Sequence, residues 1–204
     1  MKYREILIEQ LKSFPFFDKG TICQLSEQYE LKQNTIDSYI RWSLKYEYLI
    51  QLKKGMYVTT DFFKKNQNDI SYTFYLANIM RSPSYVTSWT ALQYYDLATE
   101  TININISVTP KITKNYTNKV GNFRYHSIKD ELFSGFYLVK GTSNFFIASP
   151  SKALFDLIYF KTHQLKGMSL EKVEALIDDL RIDIDEMDKK EQNNFYKIIK
   201  NYLK

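Results

Sequence analysis

The stretch NTIDSYIRWSLKYEYLIQLKKGMYVT, residues 34–59, decides what the first part of this chain can be. Within it Ile36, Ile40 and Leu44 recur at the spacing of one helix face, which predicts a helix with a buried side. Two short apolar runs follow, and the glycine between them, Gly55, can adopt the positive φ that a tight β-hairpin requires. The stretch therefore predicts a helix that leads into a two-stranded hairpin.

Two shorter helical patterns precede this stretch. The first places Ile6, Leu7 and Leu11 on one side, and the second begins where Thr21 and Gln24 fit a capping box. Helix, helix, short turn, helix and hairpin then follow one another within the first third of the chain. This order predicts a winged helix-turn-helix, in which the third helix enters the major groove of DNA.

The candidate DNA contacts lie on the third helix, opposite its apolar face, and at the hairpin tip. An arginine there offers a fork to guanine, a lysine offers a charge to phosphate, and hydroxyl or amide groups can bond either. The predicted DNA-binding residues are Asn34, Thr35, Ser38, Arg41, Trp42, Lys45, Lys53 and Lys54. Two alternatives stay open within this set, since Asn34 also suits the N-cap of its own helix and Trp42 also suits core packing. A solvated helix face or a protein-binding winged helix would show a similar pattern.

The rest of the chain mixes helical and strand patterns. Residues 61–71 form a polar stretch that is expected to join two domains. Beyond it, helices are predicted at 71–80 and 87–95, strands at 104–109, 122–128, 136–140 and 144–148, and three further helices that begin at Ser149, Ser169 and Asp188. The fold class is therefore α+β, with an antiparallel or mixed sheet of three to five strands in the second domain and helices at the carboxyl end.

Charge is distributed unevenly along the chain. The net charge of +5 over 204 residues suits a polyanionic partner. Basic side chains exceed acidic ones by three in residues 1–66 and by four in residues 67–166, whereas acids exceed bases by two in residues 167–204. The acidic carboxyl end favours contact with protein over contact with nucleic acid.

Several classes of protein are disfavoured by composition. Cys23 is the one cysteine, which leaves no intrachain disulfide or cysteine-based zinc site, and His126 and His163 lie far apart with no partner at metal-ligand spacing. No apolar run has the length of a membrane helix, and the amino terminus, MKYREILIEQLKSF, is an amphipathic pattern that contains acids rather than a signal peptide. A cytoplasmic protein without a cofactor or metal site is expected.

The helix that begins at Ser149 raises two further questions. Ser149 and Lys152 fit a Ser-x-x-Lys pattern, but the companion motifs of the hydrolases that use it are absent, so no catalytic residue and no enzyme activity is predicted. Asp156 is the one acid in the apolar run ALFDLIYF, which predicts a buried carboxylate that pairs with Lys152 one turn earlier. That pair could serve the core, or Asp156 could orient the domain or face a partner protein.

Together these segments resemble the AbiEi family, the antitoxins of type IV toxin–antitoxin systems that act in abortive infection and phage defence. The resemblance covers roughly residues 5–165 and is carried by the segments KKGMYV, RSPSYVTSWTALQYYDL, INISVT, FRYHSI and IASPSKALFDLIYF. It implies an amino-terminal winged helix that represses transcription of its own operon. It also implies a carboxyl-terminal domain that counteracts a nucleotidyltransferase-like toxin encoded alongside.

The expectation is thus an antitoxin that also acts as a transcriptional autorepressor. Residues 1–62 would bind operator DNA of its own promoter, and residues 70–204 would form the antitoxin domain. The alternative is a stand-alone winged-helix regulator whose carboxyl-terminal domain senses a ligand or oligomerises. A third class, an enzyme with a winged-helix appendage, would need a polar catalytic cluster that the sequence does not reveal.

Overall fold

The computed structural model of this protein describes residues 2–100 and 102–203. The chain divides into two compact units. Unit 1 contains the residues up to Thr73 together with Tyr116–Asn122, and unit 2 contains Phe74–Asn115 and the residues from Phe123 onward. The helices are α1 (Lys2–Leu11), α2 (Lys19–Glu27), α3 (Gln33–Lys45), α4 (Thr60–Asn66), α5 (Ile70–Met80), α6 (Ser88–Tyr94), α7 (Pro150–Lys161), α8 (Leu170–Asp179) and α9 (Lys189–Tyr202). The strands are β1 (Phe17–Asp18), β2 (Leu49–Lys53), β3 (Met56–Thr59), β4 (Tyr85–Val86), β5 (Asn105–Thr109), β6 (Lys114–Asn118), β7 (Gly121–Ser127), β8 (Phe136–Val139) and β9 (Phe145–Ala148).

Unit 1 contains α1 to α3 and an antiparallel sheet with the strand order β1-β3-β2. Three helices and a hairpin succeed one another in the order of a winged helix-turn-helix, with β1 added as a third strand. The core is apolar and is formed by Leu7, Leu11, Phe17, Ile22, Ile36, Tyr39, Ile40, Leu49 and Tyr57. The short turn between α2 and α3 includes Glu30 at a φ of +51°. The fold class predicted from the sequence is confirmed: it is α+β, with the helices and hairpin of a winged helix-turn-helix at the amino-terminal end and a larger mixed sheet with helices after it.

Two predicted helix starts in unit 1 are wrong. The N-cap of α2 is Asp18, whose carboxylate accepts from the N–H of Thr21 at 2.8 Å, so Thr21 lies inside the helix instead of capping it. Asp18 is the favoured N-cap because its charged carboxylate accepts strong hydrogen bonds from the N–H groups of the first helical turn. Helix α3 begins at Gln33 after Lys32, and no side chain caps it. Asn34 therefore lies in the first turn of α3, and its side-chain amide does not cap the helix.

The polar stretch 61–71 is mostly helical. Thr59 caps α4 by accepting from the N–H of Phe62 at 3.2 Å, and α5 begins at Ile70. The ring of Phe62 lies 5.4 Å from that of Tyr72, which in turn donates its hydroxyl to the carbonyl of Pro15 at 2.7 Å. These contacts, which the polar composition does not reveal, order the segment.

The larger sheet has six strands in the order β6-β7-β5-β4-β9-β8. It is mixed, because β5 pairs with β7 and β4 pairs with β9 in parallel, whereas β4–β5 and β8–β9 are antiparallel. The predicted range of three to five strands is too low. The two strands that the sequence did not indicate are β4, which has only two residues, and β6, whose residues KNYTN show no apolar alternation.

The helices of unit 2 bury their apolar sides on this sheet and on one another. Helix α7 is buried along nearly its whole length and packs against α6 and α9. Ser149, Ser169 and Asp188 cap α7, α8 and α9 by accepting from the N–H of the third helical residue, as the sequence predicts. Among the described residues, no helix has both the length and the apolar character needed to cross a membrane.

Candidate nucleic-acid interface

Helix α3 is fixed in unit 1 by one buried face. Ile36, Tyr39, Ile40 and Ser43 are all buried, and they occur at helical spacing. Burial raises the pKa of the Tyr39 phenol to about 12, so this residue stays neutral in the core. The opposite face of the helix is thereby turned toward solvent in a fixed orientation.

That exposed face carries a stripe formed by Asn34, Ser38, Arg41 and Lys45, all of them exposed. At 100° per residue the four side chains fall within a sector of about 60°, and they extend over about 16 Å of helix. The guanidinium of Arg41 donates from Nη2 to the hydroxyl of Ser38 at 3.2 Å. The stripe therefore presents two cations, a hydroxyl and an amide in one row, with the arginine already oriented by its neighbour.

Thr35 and Trp42 lie beside this stripe and not within it. Both are partly buried, and the indole of Trp42 stacks on the ring of Tyr48 at 5.0 Å with 16° between the planes. The guanidinium of Arg4 lies 5.1 Å from the indole centroid. Trp42 therefore packs between α1, α3 and the start of β2. It does not lie in the row formed by the other predicted DNA contacts on α3.

The other flank of the stripe carries an acid that is neutralised. Asp37 accepts from the ammonium of Lys19 at 2.6 Å, and this bond lowers the pKa of the carboxyl. Gln33 also donates to the same carboxylate at 3.4 Å. Helix α3 therefore contributes no uncompensated negative charge next to Arg41 and Lys45.

The β2–β3 hairpin, called the wing from here on, forms the second part of the candidate interface. The sequence predicts a tip of Lys53, Lys54 and Gly55, but the turn is shorter, because Lys53 pairs with Met56 within the sheet and only Lys54 and Gly55 form the loop. Gly55 has a φ of +80°, which a residue with a side chain adopts at a cost. Lys54 is exposed at the tip, and Lys53 is partly buried.

The segment Tyr116–Asn122 packs beside the wing and bonds to it. Asn118 donates from its amide to the carbonyl of Leu52 at 2.8 Å, and Lys119 forms an ion pair with Glu47 just before β2. Sequence reasoning missed this support because the partners lie more than 60 residues apart along the chain. No local pattern indicates such a contact.

A groove of about 700 Å³ lies in unit 1 beside the candidate interface. It is lined by α1, the end of α3 and the start of α4, and its rim includes Glu5, Glu9, Glu47 and Asp61. The ammonium of Lys12 bridges two of these acids, Glu9 at 2.6 Å and Asp61 at 2.9 Å. Because its acids outnumber its bases, this groove does not extend the cationic surface.

Unit 2 contains a buried polar cluster around Asp156. The carboxylate, which has no exposed surface, accepts from the ammonium of Lys152 at 2.6 Å, from the hydroxyl of Thr87 at 2.7 Å and from that of Tyr85 at 3.1 Å. Burial raises the pKa of Asp156, and the charge and hydrogen bond of Lys152 oppose that rise. The predicted pairing of Asp156 with Lys152 is confirmed within α7, and the hydroxyls of Tyr85 and Thr87 link the same carboxylate to β4 and to the residue that follows it.

The Ser-x-x-Lys pattern has a structural role at the start of α7. Ser149 accepts from the main-chain N–H of Lys152 at 3.3 Å, whereas the ammonium of Lys152 is directed to Asp156. Across residues 2–100 and 102–203, no group of three or more His, Cys, Asp or Glu side chains is arranged to hold a metal ion.

Compared with models of protein families, the chain matches none of them, and no functionally characterised protein is similar enough in sequence to count as a relative. The resemblance to AbiEi antitoxins therefore depends on the segments quoted above. The stripe on α3 and the wing are the features of this chain that indicate a partner by their own chemistry.

Proposed function

We propose that unit 1 binds duplex DNA, with α3 in the major groove and the tip of the wing on a flanking phosphate. The observation that carries this proposal is the stripe of Asn34, Ser38, Arg41 and Lys45, which is exposed on a helix whose opposite face is buried. A helix of this kind offers donors to base edges and phosphates without disturbing the core. Arg41 is the base-reading residue in this proposal, and Lys45 and Lys54 neutralise phosphates.

We further propose that the DNA is the operator of the chain's own promoter and that the protein is the antitoxin of a type IV toxin–antitoxin system. Autorepression and antitoxin activity are supported by the resemblance to the AbiEi family. In this proposal unit 2 counteracts a nucleotidyltransferase-like toxin encoded next to it. The alternative, a stand-alone regulator, shares the DNA-binding step and differs only in what unit 2 does.

DNA binding is tested by fluorescence anisotropy with the duplex upstream of the chain's own coding sequence and with a random duplex of equal length. Each binding curve is repeated over a range of salt concentrations, because every phosphate contact adds about 0.9 to the slope of log K against log salt. Arg41→Ala should weaken binding of the upstream duplex by about 1–3 kcal/mol more than it weakens binding of random DNA, which loses the charge but no base contact. Lys54→Glu should weaken binding to both duplexes and flatten the slope by about one unit.

Lys65→Glu is the matched control, because Lys65 is an exposed lysine of α4 outside both the stripe and the wing. It changes the net charge as much as Lys54→Glu does. If the two charge reversals change DNA affinity and the salt slope equally, the wing does not contact DNA. Equal affinity of the wild type for both duplexes, unchanged by Arg41→Ala, would overturn sequence-specific binding through α3.

The antitoxin role is tested by co-expression with the adjacent gene. Growth inhibition by that gene alone and rescue by this chain are the expected results. Rescue that persists in the Arg41→Ala variant would assign the antitoxin activity to unit 2 instead of to repression. An adjacent gene that is not toxic leaves the stand-alone regulator as the function.

A further inference from the structure

Strand β8 forms an open edge of the larger sheet. It is the last strand in the order β6-β7-β5-β4-β9-β8, and it pairs with β9 without a bulge. The N–H of Ser149 donates to the carbonyl of Gly135 at 2.9 Å, so the main chain of Gly135 faces β9. Because main-chain groups alternate in direction along an antiparallel strand, Tyr137 also faces β9, and Phe136 and Leu138 direct their N–H and C=O groups outward.

This short edge strand lacks two of the features by which proteins usually prevent strand pairing. Its sequence, FYLV, contains no charged residue and no proline. Leu138, which is 42% exposed, and Phe146, which lies opposite it on the neighbouring strand and is 41% exposed, share one face of the sheet. Tyr137, which is 45% exposed, lies on the other face, where its hydroxyl is 2.8 Å from that of Tyr95. An outward row of hydrogen-bonding groups thus lies beside an exposed apolar patch, which is what a strand-pairing partner needs.

The edge is complementary to itself. In an antiparallel pair of two such strands, the outward groups of Phe136 meet those of Leu138 from the other copy, and the two-fold axis passes between the two Tyr137 residues. Phe136 then lies opposite Leu138 in both halves, so apolar side chains meet apolar ones. Lys140 lies opposite Ser134, and no like charges face each other. We propose that β8 pairs with β8 of a second copy of this chain and continues the sheet across a dimer.

The choice of a second copy over a different protein also rests on the proposed DNA-binding function. Helix-turn-helix proteins commonly bind two half-sites as symmetric dimers. When two copies are joined through β8, binding of the first copy to one half-site holds the second copy close to the other half-site. This raises the affinity for an operator with two half-sites. The surface itself, however, is measurable without DNA.

Dimerisation is tested by sedimentation of the full chain over a wide concentration range in the absence of DNA. The wild type should show a reversible monomer–dimer equilibrium. Leu138→Pro removes an outward N–H and no bond to β9, so the fold tolerates it, and the dimer should weaken about tenfold or more because one hydrogen bond per copy is lost. Ile112→Ser is the control, because Ile112 is 78% exposed and lies outside the patch.

Circular dichroism shows whether Leu138→Pro is folded, and Leu138→Lys serves as a second variant that places a charge on the same edge. A wild type that remains monomeric at all concentrations would overturn the proposal. So would a dimer that both Leu138 variants leave unchanged. A monomer that instead captures the toxin through this edge, with loss of capture in Leu138→Pro, would assign the surface to a different protein.

The register is tested by disulfide trapping in a Cys23→Ser background. Only Tyr137 lies opposite itself, with the two Cα atoms about 4.5 Å apart, which is within the range that a disulfide bridges. Tyr137→Cys should form a covalent dimer under mild oxidation, and Leu138→Cys, which faces Phe136, should form much less. Equal trapping at both positions would refute this register. DNA binding is measured separately on the same variants, so a failed dimer and a failed DNA interface give different results.

Discussion

The buried pair of Lys152 and Asp156 makes a quantitative prediction about what holds unit 2 together. Three variants test it: Asp156→Leu, Lys152→Met and the double variant. The side chain of Lys152 is 4% exposed, and that of its partner Asp156 has no exposed surface. Each single substitution therefore leaves one charge in the core without its partner, whereas the double substitution removes both charges.

The costs of the two single substitutions should not add in the double variant. Removing one partner of a buried ion pair costs about 3–5 kcal/mol. The double variant leaves two hydroxyls, those of Thr87 and Tyr85, without their acceptor, at about 1–3 kcal/mol each before the gain from apolar packing. The double variant should consequently be about as stable as either single variant, and the coupling energy should reach about 3 kcal/mol.

Urea unfolding followed by tryptophan fluorescence measures these free energies in unit 2. The chain has two tryptophans, and Trp42 lies in unit 1 while Trp89 lies in unit 2, so a Trp42→Phe background makes Trp89 the reporter. Asp156→Asn is a milder substitute if a single variant does not fold. Costs of the two single variants that add up in the double variant to within about 0.5 kcal/mol would refute the coupling.

The pair also predicts a pH dependence. Burial raises the pKa of Asp156 above its ordinary 3.8, and Lys152 opposes this rise, so Lys152→Met should raise the pKa further. A carboxyl group with a raised pKa in the folded state binds its proton more tightly there than in the unfolded chain. The stability is full below the ordinary pKa and falls as the pH rises toward the folded-state pKa. In Lys152→Met this fall should extend to higher pH than in the wild type, and adding Asp156→Asn should abolish it.

Two pairs of substitutions test other features of the fold. Asp18→Ala should destabilise unit 1 by about 0.5–2 kcal/mol in urea unfolding, because it removes the N-cap of α2. Thr21→Ala, one turn later, should destabilise it clearly less. Equal costs would mean that Thr21 contributes to the cap as much as Asp18 does. Gly55→Ala should cost about 1 kcal/mol, since the φ of +80° is strained for alanine but the space is open. Gly135→Ala should cost more by the same assay, because its Cβ would lie 3.1 Å from the stem of Lys152; a smaller cost than at Gly55 would contradict that contact.

The parts of the fold that the sequence predicts are those with a local cause. Helix α3 and the hairpin follow from apolar spacing and from one glycine, and both lie within a residue or two of their predicted bounds. The pairing of Asp156 with Lys152 follows from one acid in an apolar run, since a buried carboxylate needs a partner within reach. Each of these inferences uses residues no more than one helical turn or one hairpin apart.

The features that escape prediction depend on distant neighbours. Strand β6 is polar and exposed, and it is a strand because it lies at the edge of the sheet beside β7. Asn118 and Lys119 support the wing from a distant part of the sequence, and no periodicity signals that contact. The sequence leaves two roles open for Trp42, DNA contact and packing, because its position on the helical wheel borders both faces. Its stacking on Tyr48, a residue outside α3, gives it a packing role.

The stripe on α3 is separable from the fold, and this separation is what makes the proposed function testable. Asn34, Arg41 and Lys45 are exposed, and Asn34 does not cap its helix, so replacing them removes little that stabilises unit 1. Asp37, by contrast, belongs to an ion pair with Lys19 that joins α3 to α2. A loss of DNA affinity in Arg41→Ala, at unchanged stability, therefore reports the interface directly.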